Sequence, residues 1–324
     1  MAIAELVILL IFTFILAKSS SVVVESAAKL AKFFGVSQLA IGLLLIAVST
    51  SLPELAVSVT SSIANEGAIS AGNVFGSNIA NILLVLGIGA FLYGFKVKRS
   101  ELEGIGLALL LTTLISVYII FHTQIFGFAL GFYDGVLLIL IAIWYAFRVL
   151  RKKRIDEVVE PGTISRHEAF RSFLFFGAGV VLVMVSSNFV VDSAIKLADI
   201  FGLAKSFIGA TIIAVGTSLP ELSIDLQAIR KKEYGLALGD AIGSNIANIT
   251  LVLGTAAAIN PIAIQLPVFI AALLFAIIAN MTFLYVAAIK RAFGRREGAA
   301  MLALFAVYII TIFFLQLNEV SPLV

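Results

Sequence analysis

Apolar residues do not alternate with polar ones along this chain; they run together in blocks of about 20, the length of helix that crosses a bilayer. Blocks of this kind recur from Ile3 to Leu315, separated by short polar connections. The pattern predicts about ten membrane-spanning helices, and no polar block remains to form a soluble domain. The longest hydrophilic connection, Arg151 to Glu168, is too short for a domain of its own. The first block carries only Glu5 before Lys18 and runs on through Val22 to Leu30 without a clear cleavage site. It reads as a retained span and not as a signal peptide.

The chain also repeats itself. Ile46-Ala-Val-Ser-Thr-Ser-Leu-Pro-Glu-Leu55 returns as Ile213-Ala-Val-Gly-Thr-Ser-Leu-Pro-Glu-Leu222, and Gly76-Ser-Asn-Ile-Ala-Asn-Ile82 returns as Gly243-Ser-Asn-Ile-Ala-Asn-Ile249. The offset is 167 residues throughout, from Glu54 to Glu221 and from Asn81 to Asn248. With an odd number of spans per unit the second copy must lie upside down, the inverted-repeat pattern of secondary transporters. The organisation read from this is a first five-helix repeat over residues 1–150, a linker over 151–168 and a second, inverted repeat over 169–324.

Charge sets the sidedness. Basic clusters fall at Lys29/Lys32, Lys96/Lys98/Arg99, Arg148 to Arg154, Arg230/Lys231/Lys232 and Lys290/Arg291/Arg295/Arg296. These are the connections from each odd span to the next even one. Lys196 and Lys205 are the exceptions in the other set. The positive-inside rule then makes the basic connections cytoplasmic and places both termini outside. Composition agrees: 61% of residues are apolar and 13% charged, so the principal partner is the lipid bilayer. With no cysteine, thiolate metal centres are excluded; with only His122 and His167, near connections, an imidazole zinc or haem centre is not expected, and nothing calls for a cofactor, a nucleic acid or an obligatory protein partner.

The chemistry lies where polar residues interrupt the apolar blocks. Glu54 and Glu221 fall in the middle of spans, where a carboxylate costs about 2.5–3.5 kcal/mol or more and is a functional candidate by default. Pro53 and Pro220 precede them, and a proline inside a helix leaves a carbonyl without its partner. Such carbonyls are tolerated at membrane depth where they line a cavity or hold an ion. Thr50 and Thr217 stand four residues before each glutamate, and Ser77/Asn81 and Ser244/Asn248 repeat that spacing, which puts each pair on one helix face. The set offers carboxylates, hydroxyls, amide oxygens and carbonyls, a ligand chemistry suited to hard cations such as Ca2+ and Na+. Gly72, Gly76, Gly239 and Gly243 read as close-packing positions.

The two Thr-Ser-Leu-Pro-Glu segments with their downstream Gly-Ser-Asn-Ile-Ala-Asn-Ile segments resemble the paired repeats of the sodium/calcium exchangers, prokaryotic type, within the cation/calcium exchanger superfamily. The resemblance implies a ten-helix fold and an antiporter that exchanges Na+ for Ca2+ by alternating access at a midplane site. It implies Ca2+ ligation by Glu54 and Glu221 with the carbonyls of Thr50 and Thr217. Ala47, Thr50 and Ser77 would form one flanking Na+ site, and Ala214, Thr217 and Ser244 the other. Asn81 and Asn248 would complete the centre, supported by Ser51 and Ser218. Spans 1 and 6, Ile3 to about Lys32 and Ser172 to about Phe201, would slide as a gate.

The sequence departs from the family in three places. Ser49 stands where glycine is common, and Asn248 stands where potassium-dependent members carry aspartate. Asp225 and Asp240 answer to Ser58 and Asn73 in the first repeat and are expected toward the cytoplasmic ends of spans 7 and 8, in vestibule or helix-end roles and not as direct ligands. The competing readings are a calcium/proton antiporter using the same glutamates and, from another class, a cation channel. An enzyme is not expected, because the motifs of serine, aspartyl and zinc intramembrane proteases are missing.

Overall fold

The computed structural model describes residues 2–65, 67–122, 129–151, 164–200, 216, 218–262 and 267–320. The protein is an all-α membrane protein. Its helices are α1 (Ala2–Phe34), α2 (residues 38–63), α3 (residues 67–92), α4 (Arg99–Ile120), α5 (Phe132–Arg151), α6 (Arg166–Ile200), α7 (Leu219–Arg230), α8 (Tyr234–Ile259), α9 (Pro267–Ile289) and α10 (Arg295–Val320). Among the described residues eight helices are each long and apolar enough to cross a membrane, and α2 makes a ninth if its two parts count as one span. The tenth expected span is represented by α7, because residues 201–215 lie outside the described residues.

Local chemistry fixes the ends. Gly35 closes α1 at φ +59°, a left-handed conformation open to glycine, and the following Val36 N–H bonds back to the Ala31 carbonyl at 3.0 Å. Ser37 then caps α2 by accepting from the Ala40 N–H at 3.2 Å. α6 starts at Arg166, earlier than the expected Ser172, because Ser165 accepts the Glu168 N–H at 3.1 Å and so extends the helix into the polar connection.

Polarity is inverted relative to a soluble fold. Leu10, Phe14, Leu140, Trp144, Phe173 and Phe314 are exposed, while Glu54, Asp225, Asp240, Ser244 and Asn248 are fully buried. Water does not tolerate such an outer surface, and lipid does. α3 and α8 form the centre: every residue from Gly235 to Ala247 is buried. α1 and α6, of 33 and 35 residues, each extend about 50 Å, well past a hydrocarbon layer of about 30 Å. They pack antiparallel as a pair, with Phe12 stacked on Phe189 and ion pairs at both ends, Lys196 to Glu5 at 3.5 Å and Lys29 to Glu168 at 3.3 Å.

The connections sort onto two opposite ends. At one end Lys231 bonds Glu25 at 2.6 Å, and Gln38 donates to Glu233. At the same end the β1 strand Phe95–Lys96 pairs antiparallel with β2, Ala292–Phe293, in the register Phe95 to Phe293. At the other, Asn260 donates to Asn65 at 2.9 Å, and Leu130 pairs with Ile262. The basic odd-to-even connections thus share one face. Lys196, an exception to the charge alternation, is paired with Glu5 at the opposite face.

Candidate ion-binding site

The site begins with a helix break in α2 and the start of α7. α2 bends by 45° between Gln38–Thr50 and Leu52–Ile63, with Ser51 at the break and Pro53 in the new first turn. α7 begins in the same way, with Ser218 before Leu219 and Pro220 in the first turn. The break in α2 and the start of α7 each place a glutamate, Glu54 or Glu221, in the first turn of a helix, where free N–H groups and the helix dipole favour negative charge. Both glutamates are buried, and each acts on the charge of its surroundings: Glu54 and Asp240 both press on Glu221.

Ser77 lies beside Glu54 and Thr50 beside Glu221. Even so, among the described residues no donor meets either oxygen of either glutamate in full hydrogen-bonding geometry. Buried polar atoms are normally satisfied, so four bare carboxylate oxygens mark a place that something else completes. Ser51, at the break in α2, and Ser218, at the start of α7, are buried, and their hydroxyls also lack partners among the described residues.

The amides follow. Asn81 sits in a π-helical turn, Ala80–Val85, and Asn248 opens another, Asn248–Val252; such turns with their extra residue recur at functional sites. Asn81 donates to Asn245 Oδ1 at 3.2 Å and keeps its own oxygen free of donors. Asn248 is fully buried with neither amide atom partnered among the described residues. Among those residues no three acidic or imidazole groups converge as a metal centre. The ligand set on offer is mixed: paired carboxylates with amides, hydroxyls and carbonyls.

A third π turn, Gly42–Ile46, leads into Ala47. Thr50 Oγ1 lies 3.3 Å from the Ala47 carbonyl, 3.3 Å from Ser244 Oγ and 3.0 Å from Asp240 Oδ1. The sequence reading grouped Ala47 and Thr50 with Ser77. The hydroxyl beside Ala47 and Thr50 is Ser244 of the second half, while Ser77 faces Glu54. Ala214 and Thr217 lie outside the described residues.

With the geometry in hand, the chain can be set against known proteins. The family model described as sodium/calcium exchanger protein matches residues 4–151 and 171–314, which takes in both halves of the site. The chain belongs to the sodium/calcium exchanger family. Inner membrane protein YrbG of Escherichia coli (strain K12) is 32% identical over 252 residues, covering 75% of this chain and 76% of that protein. Sodium/calcium exchanger MaX1 of Methanosarcina acetivorans is 28% identical over 350 residues, 95% and 98% of the two chains. The solved structure of the sodium-calcium exchanger NCX_Mj soaked with 2.5 mM Na+ and 0.1 mM Ca2+ superimposes with a TM-score of 0.82 at 29% identity, covering 96% of this chain and 99% of that one. The form soaked with zero Na+ and Ca2+ gives 0.84 at 28% identity.

Within this exchanger fold Asp225 and Asp240 lie toward the ends of α7 and α8 that flank the basic Arg230–Lys232 connection. Both are fully buried there, and Asp240 joins Thr50 and Ser244 directly. A signal was present in the spacing. Asp240, Ser244 and Asn248 are each four residues apart on α8, as Glu221 and Asp225 are on α7, so they share stripes with the expected ligands. Comparison with Ser58 and Asn73 obscured it, because those neutral positions suggested no ion chemistry. Of the four glycines, Gly239 and Gly243 are close-packed against α2: a Cβ on either would lie 2.7 Å from the Cα of Gly42 or Leu43. Gly72 and Gly76 meet only ordinary contacts among the described residues.

Proposed function

We propose that this exchanger-family protein is a secondary active antiporter that moves Ca2+ against Na+ by alternating access. The observation that carries the reading is the pair of buried glutamates, one from each half, each in the first turn of a helix beside a proline, with no donor on their oxygens among the described residues. Ca2+ takes six to eight oxygens at about 2.3–2.6 Å. Glu54 and Glu221 supply the charge, with the carbonyls of Thr50 and Thr217 and the amide oxygens of Asn81 and Asn248 completing the shell. Flanking Na+ ions use the hydroxyls and carbonyls at Ala47, Thr50 and Ser244 on one side, and at Ala214, Thr217 and Ser77 on the other. Ser51 and Ser218 support the centre.

Coupling follows from charge. Two bare carboxylates in an apolar interior are too costly to carry across the barrier, whereas one Ca2+, or Na+ ions in its place, neutralises them. The protein therefore reorients when loaded and resists reorienting when empty, which is the condition for exchange without leak. The long α1–α6 pair slides across the remaining helices as the gate. The basic connections face the cytoplasm, and both termini face out, in a cell membrane. NCX_Mj, of the same fold, was solved with Na+, Ca2+ and Sr2+ soaked at defined concentrations, and MaX1 bears the name of a sodium/calcium exchanger.

The test is calorimetric Ca2+ binding to purified protein. Glu54→Gln and Glu221→Gln preserve volume and remove charge, so each is expected to weaken Ca2+ by more than about tenfold, or about 1.4 kcal/mol. Native affinity in either variant would remove that glutamate from the site.

A further inference from the structure

The ion pairs of the two long helices are of two kinds. Lys29 with Glu168 and Lys196 with Glu5 tie α1 to α6, so they travel with the pair. Lys231 with Glu25, at 2.6 Å, ties α1 to the connection that follows α7. That connection belongs to the remaining helices, because Glu233 within it accepts from Gln38 at the start of α2. Its backbone is held as well: the Glu233 N–H bonds back to the Ala228 carbonyl at 2.9 Å and the Lys232 N–H to the Ile229 carbonyl at 3.0 Å, with Lys232 left-handed at φ +63°. The Lys231 ammonium is thus presented from a fixed turn.

Its acceptors all lie on α1: the Ser21 hydroxyl and Glu25 Oε1 at 2.6 Å, and the Ser21 carbonyl at 3.1 Å. Ser21 and Glu25 are four residues apart and share one face of that helix. Deeper along α7, two residues beyond Glu221, Ser223 meets Ser20 hydroxyl to hydroxyl at 2.8 Å. Lys231 is ten residues beyond Glu221, about 15 Å along a helix. The two contacts therefore seat α1 on α7 between the glutamate and the face that carries the basic connections. A shift of α1 by one turn, about 5.4 Å, takes the acceptors out of reach of an ammonium held in place.

The other half of the sequence has no counterpart to this tie. Ser20, Ser21 and Glu25 answer to Ser187, Asn188 and Asp192 on α6, which keep acceptors, but Ser223 and Lys231 answer to Ala56 and Ala64. An alanine side chain donates nothing, so the equivalent contact does not form when the halves exchange roles. We propose that Lys231 is a positioning residue for the gate: its hold on Ser21 and Glu25, with Ser20 on Ser223, latches α1 to α7 and makes the arrangement described here the favoured one of the two access states. The inference rests on the reading of α1 and α6 as the sliding gate. Lys231 touches no transported ion in this role; it sets how often the site opens toward the basic connections. With 26% and 65% of the two side chains exposed, the Lys231–Glu25 pair shifts that balance by roughly two- to fivefold.

The experiment uses the full chain in proteoliposomes, and its lack of native cysteine. Ser20→Cys/Ser223→Cys puts two thiols where the hydroxyls meet, near enough for a disulfide, and the rate of cross-linking reports how often α1 is seated on α7. Cross-linking itself should stop transport. Adding Lys231→Ala is expected to slow cross-linking by roughly two- to fivefold, and Glu25→Gln, which covers the case in which the lysine variant misfolds, acts in the same direction. In the otherwise native chain, Lys231→Ala should lower the Ca2+ concentration needed for half-maximal transport at the face of the basic connections by a similar factor, and not at the opposite face. Lys231→Arg should restore both readouts, as should the exchanged pair Lys231→Glu/Glu25→Lys. An unchanged cross-linking rate and Ca2+ requirement in Lys231→Ala overturn the proposal. So does a defect that neither restoring variant corrects, which would make Lys231 a support of the fold alone. Transport that continues in the cross-linked protein overturns the reading of α1 as the gate, so that failure is told apart from failure of the latch.

Discussion

Asn78 donates its side-chain amide to the carbonyl of Asn245 at 3.2 Å, and Asn245 donates back to the carbonyl of Asn78 at 3.0 Å. The two residues are 167 apart, the repeat offset, so this reciprocal pair joins the halves at equivalent points on α3 and α8. Asn245 also accepts from Asn81. Asn245→Ala is therefore expected to cost more stability than Asn78→Ala, within the about 1–3 kcal/mol of leaving buried polar groups unpaired. Thermal unfolding in detergent checks this; equal tolerance of both changes would deny the junction its role.

Gly239 allows α8 to touch α2 backbone to backbone. A Cβ there would stand 2.7 Å from Gly42 Cα and 2.8 Å from the Leu43 nitrogen, atoms that cannot swing aside. Gly239→Ala should push α2 from α8 and separate Thr50 from Ser244, with loss of exchange and a lower unfolding temperature. Gly177→Ala, whose new methyl would meet nothing within 4 Å, should leave transport intact. Matching behaviour of the two variants in a flux assay would contradict this packing account.

Ser244→Ala removes one oxygen from the Ala47–Thr50–Asp240 group and none from the glutamates. It is expected to raise the Na+ concentration needed for half-maximal exchange more than it raises the Ca2+ requirement. A Na+ shell has few ligands, so the loss of one is proportionately large. Parallel changes for both ions, measured on the same vesicles, would indicate a packing defect.

Much of this architecture was legible in the sequence because its determinants are local. Apolar runs give spans, and Pro53 and Pro220 beside Glu54 and Glu221 give the break in α2 and the start of α7. What stayed hidden depends on how the helices face one another. The π turns at Gly42–Ile46, Ala80–Val85 and Asn248–Val252 add a residue to the turn without a marking residue type, and they re-aim the side chains that follow. The pairing of Thr50 with Ser244 crosses from one half to the other, which a repeat offset does not encode. The contact of Asp240 with Thr50 was not legible, because its repeat partner Asn73 is neutral, although its spacing to Ser244 already placed the two on the same face.

The chain has no cysteine, so single cysteines report sidedness without background. Tyr133, 87% exposed at the start of α5, and Lys98, before α4, lie at opposite ends. Tyr133→Cys is expected to react with an impermeant thiol reagent added to intact cells, and Lys98→Cys only after the membrane is opened. The reverse pattern would invert the proposed orientation.

The central claim is exchange of Na+ for Ca2+. Its most direct test is Ca2+ uptake into proteoliposomes under an outward Na+ gradient, an outward proton gradient and no counter-ion gradient. The account predicts concentrative uptake with Na+ alone, abolished in Glu54→Gln and Glu221→Gln. Uptake driven as well by protons would replace Na+ coupling with proton coupling, and Ca2+ entry without any counter-ion gradient would make the protein a channel.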